Sequence, residues 1–416
     1  MELKPGYKQT DVGVIPEDWA VRRLDTLGSR NRPAIKAGPF GSALTKDIYT
    51  PHGYKVYGQE QVIRGDHRYG DYYVSRSKFE ELKSCAVAPG DVLLSLVGTA
   101  GRSLVVPAHA AEGIINPRLI RLSFDKDLVH PEFFQAYLET DQFQALLARV
   151  TQGGTMGVLN AGSLRPLQIP LPPITEQRSI SAALGALDTL LSVLEQLVAK
   201  KRDLKHAAMQ QLLTGQRRLP GFHGEWLVKQ LGDVLERVVG GGTPSRANPE
   251  YWGDGIPWVT VKDLSDFNPN QTQESVTKKG LQNSASHLIP KGTVITSTRM
   301  ALGAAVRYEV AVCINQDLKA LFPRPCISGH FLYHWFQYYG SAIAALGSGS
   351  TVKGIPLADL KRVEFLLAAL PEQAAIAAVL SDMDAELAAL EQRLAKTRAL
   401  KQGMMQELLT GRTRLV

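Results

Sequence analysis

The chain has 416 residues, 44% hydrophobic, 21% charged and 7% aromatic. That balance excludes intrinsic disorder and fibrous repeats, and at roughly 100–200 residues per domain it predicts two to four domains. A formal charge of +7 and a pI near 9.2 permit a polyanionic partner without requiring one.

No run of about 18 apolar residues is evident, so no membrane partner is expected. Met1 to Val14 lacks the apolar core of a secretory signal. Cys85, Cys313 and Cys326 are too few and too scattered for a disulfide framework. A reducing, cytoplasmic location fits.

In chain order, Gly53–Tyr57, Val92–Val97 and Leu119–Phe124 have the β-branched and aromatic content of strands, and Pro131–Arg149 the pattern of a helix. A long helix then starts after Pro172-Pro173 and stops at Gly215. Ile256–Val261 and Val294–Thr298 are again strands, and Gly329–Leu346 a helix. A second long helix runs from Pro371 to Gly411. The fold class is α+β with a mostly β core in each globular part. The boundaries fall at 1–171, 172–215, 216–370 and 371–416.

The strongest signal is self-similarity. Glu176–Leu219 and Glu372–Leu415 align without a gap at an offset of 196, with about half the positions identical. A period this long means duplication of a whole module rather than a solenoid. Fainter matches precede each copy: Trp19-x-Val21-x-x-Leu24 with Trp226-x-Val228-x-x-Leu231, and Ile115-Asn116 with Ile314-Asn315. Gly154-Thr155 matches Ser350-Thr351.

Within the repeats, Ile180, Leu184, Leu187, Leu191, Leu194 and Val198 recur at spacings of 4 and 3, as do Ile376, Leu380, Met383, Leu387, Leu390 and Leu394. This is a heptad seam, which then shifts phase to Leu204 and Leu212, and to Leu400 and Leu408. Each helix is roughly 37 residues, or about 55 Å. A narrow seam needs a partner, and the obvious partner is the other copy. Antiparallel pairing would relate the halves by a pseudo-two-fold axis. Its span is comparable with the about 34–36 Å between half-sites read by two-fold proteins.

The loops between the predicted strands are polar and basic. The candidates for contact with double-stranded DNA are Arg30, Arg32, Lys36, Arg64 and Arg102 in the first half, and Arg246, Lys262, Arg299 and Lys353 in the second. Thr151–Thr155 and Ser348–Lys353 are further polar loops.

Catalytic signatures are missing. Gly-Lys does not occur, so there is no P-loop, and neither Gly-x-Ser-x-Gly nor His-Glu-x-x-His is present. Glu81-Leu-Lys83 matches only the tail of a nuclease metal motif. Asn248-Pro-Glu-Tyr251 differs from the Asn-Pro-Pro-Tyr loop of adenine methyltransferases at its third position and is expected to be a turn. Cys326, His330 and His334 have a helical spacing that suits a metal, but the first half has Leu128, Glu132 and Ala136 there. No catalytic, cofactor or metal site is therefore expected on this chain.

Taken together, Pro172–Gln177 and Leu370–Gln373, the two Leu-Leu-Thr-Gly endings, Ile15-Pro-Glu-Asp-Trp19, Gly241–Ser245 and Ile256-Pro-Trp-Val-Thr260 give the chain its family likeness. Over nearly its whole length it resembles the specificity subunits of type I restriction–modification systems. The resemblance implies two tandem target-recognition domains, each reading one half of a bipartite site. It implies that the paired helices set the gap and dock two methyltransferase subunits. Restriction and translocation subunits would join. S-adenosylmethionine, ATP and Mg2+ would belong to those partners. A specificity subunit serving methylation only is the near alternative. A stand-alone adenine methyltransferase using Asn248–Tyr251, or a coiled-coil scaffold without nucleic acid, are more distant ones.

Overall fold

The computed structural model describes residues 4–29, 31–96, 101–152, 160–348 and 353–415. Arg30, Val97, Gly154-Thr155 and Ser350-Thr351 lie outside the described residues. Two compact units emerge, one of Met1–Leu194 with Arg393–Val416, the other of Glu195–Gln392. Both divide the same two long helices, α1 (Ile174–Leu213) and α2 (Leu370–Leu408). At 40 and 39 residues these are each about 60 Å long. Both stop where Gly215 and Gly411 adopt φ of +71° and +73°, a conformation that favours glycine.

The first unit is built on an antiparallel sheet of β1 (Ile35–Ala37), β2 (Val92–Ser95), β3 (Ser103–Val105) and β4 (Leu119–Leu122), in the order β1-β4-β2-β3. Beside it, Tyr54–Tyr57 pairs with Tyr73–Val74 and, in parallel, with Gly113–Ile115. Ala20–Arg23 pairs with Gln168–Leu171, bringing the chain back to the start of α1. The predicted helix over Pro131–Arg149 is two helices, Pro131–Leu138 and Asp141–Gln152. The break falls at Thr140, whose hydroxyl bonds back to the Tyr137 carbonyl and accepts from the Phe143 N–H. Such local bonding competes with a continuous helix.

The second unit repeats this plan. Its sheet contains β5 (Leu235–Gly240), β6 (Val294–Ser297), β7 (Ala305–Arg307) and β8 (Leu318–Pro323), in the order β5-β8-β6-β7. Trp252–Val259 pairs with Glu274–Val276 and, in parallel, with Cys313–Ile314. Leu227–Gln230 pairs with Glu364–Leu367.

In the first unit the core runs from the sheet through Phe133, Phe134 and Phe143 to Ile180 and Leu184 of α1 and Leu408 of α2. In the second it runs through Phe331, Trp335 and Phe336 to Ile376 and Leu380 of α2 and Leu212 of α1. The first seam residues of each helix thus pack into a globular core. Leu194, Val198, Leu387 and Leu394 are buried further along, and Leu187, Leu191, Met383 and Leu390 are half-buried.

The helices run antiparallel within each unit. In the first, Lys401 bonds Asp188 at 2.5 Å. In the second, Lys201 pairs with Glu386 at 2.6 Å, Arg202 with Glu391 at 2.5 Å, and Lys205 with Asp384. The phase shift expected after Val198 and Leu394 does not occur. The seam continues in strict heptad spacing through Lys201, Lys205, Ala208 and Leu212, and through Thr397, Lys401, Met404 and Leu408, all buried or half-buried. Lysine stems line the seam and their ammonium groups reach carboxylates on the facing helix. Leu204 and Leu400 instead face outward, 48% and 55% exposed.

By length and composition alone α1 is apolar enough to cross a membrane, with an 18-residue window of mean hydropathy 1.4. Leu184, Leu187, Leu191 and Leu194 of that helix fall on the seam that faces α2, whereas Leu204 does not.

Candidate nucleic-acid interface

Each unit holds its helix ends with the same clasp. In the first, the Trp19 indole N–H donates to Glu176 Oε2 at 3.0 Å, and Arg414 forks onto Glu176 at 2.6 and 2.8 Å. Arg414 also reaches both carboxylate oxygens of Asp18. The neighbouring Gln177 accepts from the His130 N–H and donates to the Leu128 and Pro172 carbonyls. In the second, Trp226 donates to Glu372 at 3.0 Å and Arg218 forks onto Glu372 at 2.5 and 2.6 Å. Gln373 accepts from the Ser328 N–H and donates to the Cys326 and Ala368 carbonyls.

The closing arginine in each case follows the Leu-Leu-Thr-Gly end of the other helix. A Cβ on Gly411 would lie 2.5 Å from Pro16, and one on Gly215 3.3 Å from the Trp226 ring. The motifs that mark the repeat are therefore joints. They fix a globular part to the start of one helix and the end of the other. Sequence reading found the motifs but not their mutual contact, which depends on antiparallel pairing.

The basic candidates separate into two groups. Arg64 and Arg102, far apart in sequence, line one cavity of about 640 Å³ with Gly101, Ser103, Gln135 and Glu139. Arg64 ends a short helix closed by Gly65 at φ +68° and stacks on the Tyr69 ring at 4.0 Å. Both side chains are exposed, and the stacking holds Arg64 in place without neutralising it. In the second unit, Arg299 and Lys353 meet through backbone pairing: Arg299 bridges Gly354, and the Met300 N–H donates to the Lys353 carbonyl at 3.1 Å. Arg299 lies 3.5 Å from Asp317, with its side chain 56% exposed. Lys262 is exposed and Lys36 half-buried on β1.

Arg32 and Arg246 each hold an ion pair, Arg32 with the buried Asp91 and Arg246, its side chain 53% exposed, with Glu274. Arg32 pairs with Asp91 at 3.1 Å and donates to the Ala86 carbonyl at 2.6 Å. Asp91 is buried, accepts from Ser123 and the Ala88 N–H, and lies beside the buried Arg121. Arg246 forks onto Glu274, lies 3.6 Å over Trp252, and has its pKa raised by the Glu274 hydrogen bond.

Asn248–Tyr251 is a capped turn. The Asn248 side chain accepts from the Glu250 N–H, and Glu250 pairs with Lys279. Cys326, His330 and His334 do not converge: Cys326 is exposed, His330 lies against Arg307, and the buried His334 reaches Ser381 at 3.0 Å. Among the described residues no cluster of metal-ligand side chains forms.

Two units of one plan, each with exposed basic side chains on its loops and a clasp at its helix ends, define a recognition protein. The family model for the type I restriction modification DNA specificity domain matches residues 16–201 and 223–397. A candidate MjaX type I restriction enzyme specificity subunit from Methanocaldococcus jannaschii is 23% identical, over 98% of this chain and 97% of that protein. The EcoR124I/EcoR124II specificity subunit of Escherichia coli is 30% identical over 38% of this chain and 41% of its own length. Among solved structures, the type I restriction–modification S subunit of M. genitalium matches with a TM-score of 0.60 at 15% identity, covering 98% of both chains. A chain from a study of complex assembly and conformational transition in the type I system matches with a TM-score of 0.57 at 22% identity, over 96% of this chain and 99% of that one. The chain belongs to the type I DNA specificity family. It is a specificity subunit, a non-catalytic DNA-recognition component of a type I restriction–modification system.

Proposed function

We propose that each globular part reads one half of a bipartite double-stranded DNA site and that α1 and α2 set the gap between the halves. The duplicated clasp carries this reading. It repeats Trp, Glu, Arg and Gln in the same bonds at both helix starts, which suits two different reading surfaces on one frame. Exposed Arg64, Arg102, Arg299 and Lys353 supply phosphate contacts and base contacts at the loop ends. Arg30, Lys36, Arg246 and Lys262 remain candidates for the same surfaces.

Two methyltransferase subunits dock on the helix pair, bind S-adenosylmethionine and methylate one adenine on each strand. Restriction subunits bring ATP, Mg2+ and the motor. The complex works in the cytoplasm. The test is a methylation map after co-expression with the methyltransferase subunit encoded beside this chain. Two short, unlike half-sites around a fixed gap, with N6-methyladenine on both strands, are expected. No new methylation from a soluble complex supplied with cofactor would contradict the reading.

A further inference from the structure

Phe40 is 90% exposed, the most exposed large apolar side chain among the described residues. It stands in the loop that follows β1, within Gly38-Pro39-Phe40-Gly41. The loop is firmly seated. The Gly38 N–H donates to the Leu119 carbonyl at 2.9 Å, and the Phe40 carbonyl accepts from the Ala43 N–H at 2.8 Å. A Cβ on Gly38 would lie 1.9 Å from the Asn116 carbonyl oxygen, so only glycine lets the loop back onto the Asn116–Arg118 turn. Arg118 on that turn is exposed, and Lys36 leads into the loop from β1.

The second unit has a counterpart on a different loop beside the same turn. Gly241 backs onto Ile314 as Gly38 backs onto Asn116, with a Cβ 1.9 Å from the Ile314 carbonyl oxygen. Phe40 is replaced there by Thr243, which donates to Gln316. The apolar side chain comes instead from Met300, 64% exposed, in the loop after β6. That loop is tied to the turn by the Thr298 N–H to the Asp317 carbonyl and by the Arg299–Asp317 pair. Met300 has φ +69°, the one non-glycine residue at positive φ among the described residues. A side chain held out in that conformation stores strain of the kind that collects at working sites.

We propose that Phe40 and Met300 are wedges that enter the DNA, each inserting an apolar side chain at a base step of its half-site and so reading how easily that step unstacks. Phe and Met are among the side chains that open base steps, and flexible pyrimidine–purine steps yield most readily. The surroundings favour DNA over a protein partner. Phe40 stands among Gly38, Pro39 and Gly41, and Met300 follows Arg299 and donates its N–H to the Lys353 carbonyl. Arg118 and Lys36 flank one, Arg299 and Lys353 the other, placed to hold the phosphates on either side.

The inference rests on the two-half-site reading above, and the test separates the two. The complex of the full chain with its methyltransferase subunit is titrated against its mapped site carrying 2-aminopurine at each position in turn. One unstacked step is expected in each half-site. Phe40→Ser should abolish the signal in the first half-site only, and Met300→Ser in the second only, each with binding about tenfold weaker, the scale of one lost base pair. Phe40→Leu and Met300→Leu should keep both. Serine variants with unchanged fluorescence and affinity would overturn the wedges, as would serine variants that fail to assemble with the methyltransferase. A wild-type complex that prefers no split site would overturn the reading beneath them.

Discussion

Glu176 places a carboxylate on a side chain only 1% exposed, and Arg414, itself 23% exposed, supplies the opposite charge. Removing one partner of such a pair strands a buried charge, whereas removing both is tolerated. Arg414→Met should therefore destabilise the chain by on the order of 3 kcal/mol, and adding Glu176→Gln should restore most of that, as measured by urea unfolding. His334 gives a pH dependence. Burial pushes its pKa down to about 4, with Asp384 opposing the shift and Lys205, His330 and Arg307 adding to it. The unfolded chain then takes up the proton first, near pH 6.5. Stability from this residue is complete above that value and is lost as pH falls toward about 4. His334→Leu should flatten the urea midpoint between those limits relative to wild type. Arg64→Ala and Arg102→Ala should each reduce the salt dependence of DNA binding by about one unit of slope. Arg32→Ala should leave that slope alone and lower the unfolding midpoint, because Arg32 neutralises the buried Asp91.

The long helices show what was legible in the sequence and what was not. Their existence, ends and pairing partner followed from the gapless repeat, from Pro172, Pro371, Gly215 and Gly411, and from the spacing of the leucines. The phase beyond Val198 did not, because Lys201, Lys205, Thr397 and Lys401 occupy seam positions while Leu204 and Leu400 point away. Hydrophobicity alone follows the leucines, whereas the structure buries the lysine stems and pairs their ends with Asp188, Asp384 and Glu386. Among the basic candidates, composition could not separate Arg64 from Arg32, since only tertiary contact reveals Asp91 beside one and open solvent beside the other. The exposure of Phe40 was equally invisible, as an apolar residue in a sequence points to a core by default. Glycines give an element-scale test. Nothing lies within 4 Å of a Cβ added at Gly185 or Gly403 inside the helices. Gly185→Ala and Gly403→Ala should each raise stability by about 0.5–1 kcal/mol. Gly411→Ala should lower it, since φ is +73° there and Pro16 is in the way. Thermal unfolding of the three variants distinguishes these signs.

At the scale of the whole molecule, the proposed function makes the helix pair a spacer and the globular parts independent readers. The unbroken heptad says how to shorten the spacer without shifting its seam: remove one heptad from each helix, residues 193–199 and 389–395, equivalent at the offset of 196. That takes about 10 Å from each helix. The corresponding length of B-DNA is about 3 base pairs. The measurement is the methylation map of this shortened subunit beside that of the wild type, each with the same methyltransferase partner. The account predicts the same two half-sites with a gap about 3 base pairs shorter. Altered half-sites, or an unchanged gap between intact ones, would contradict it.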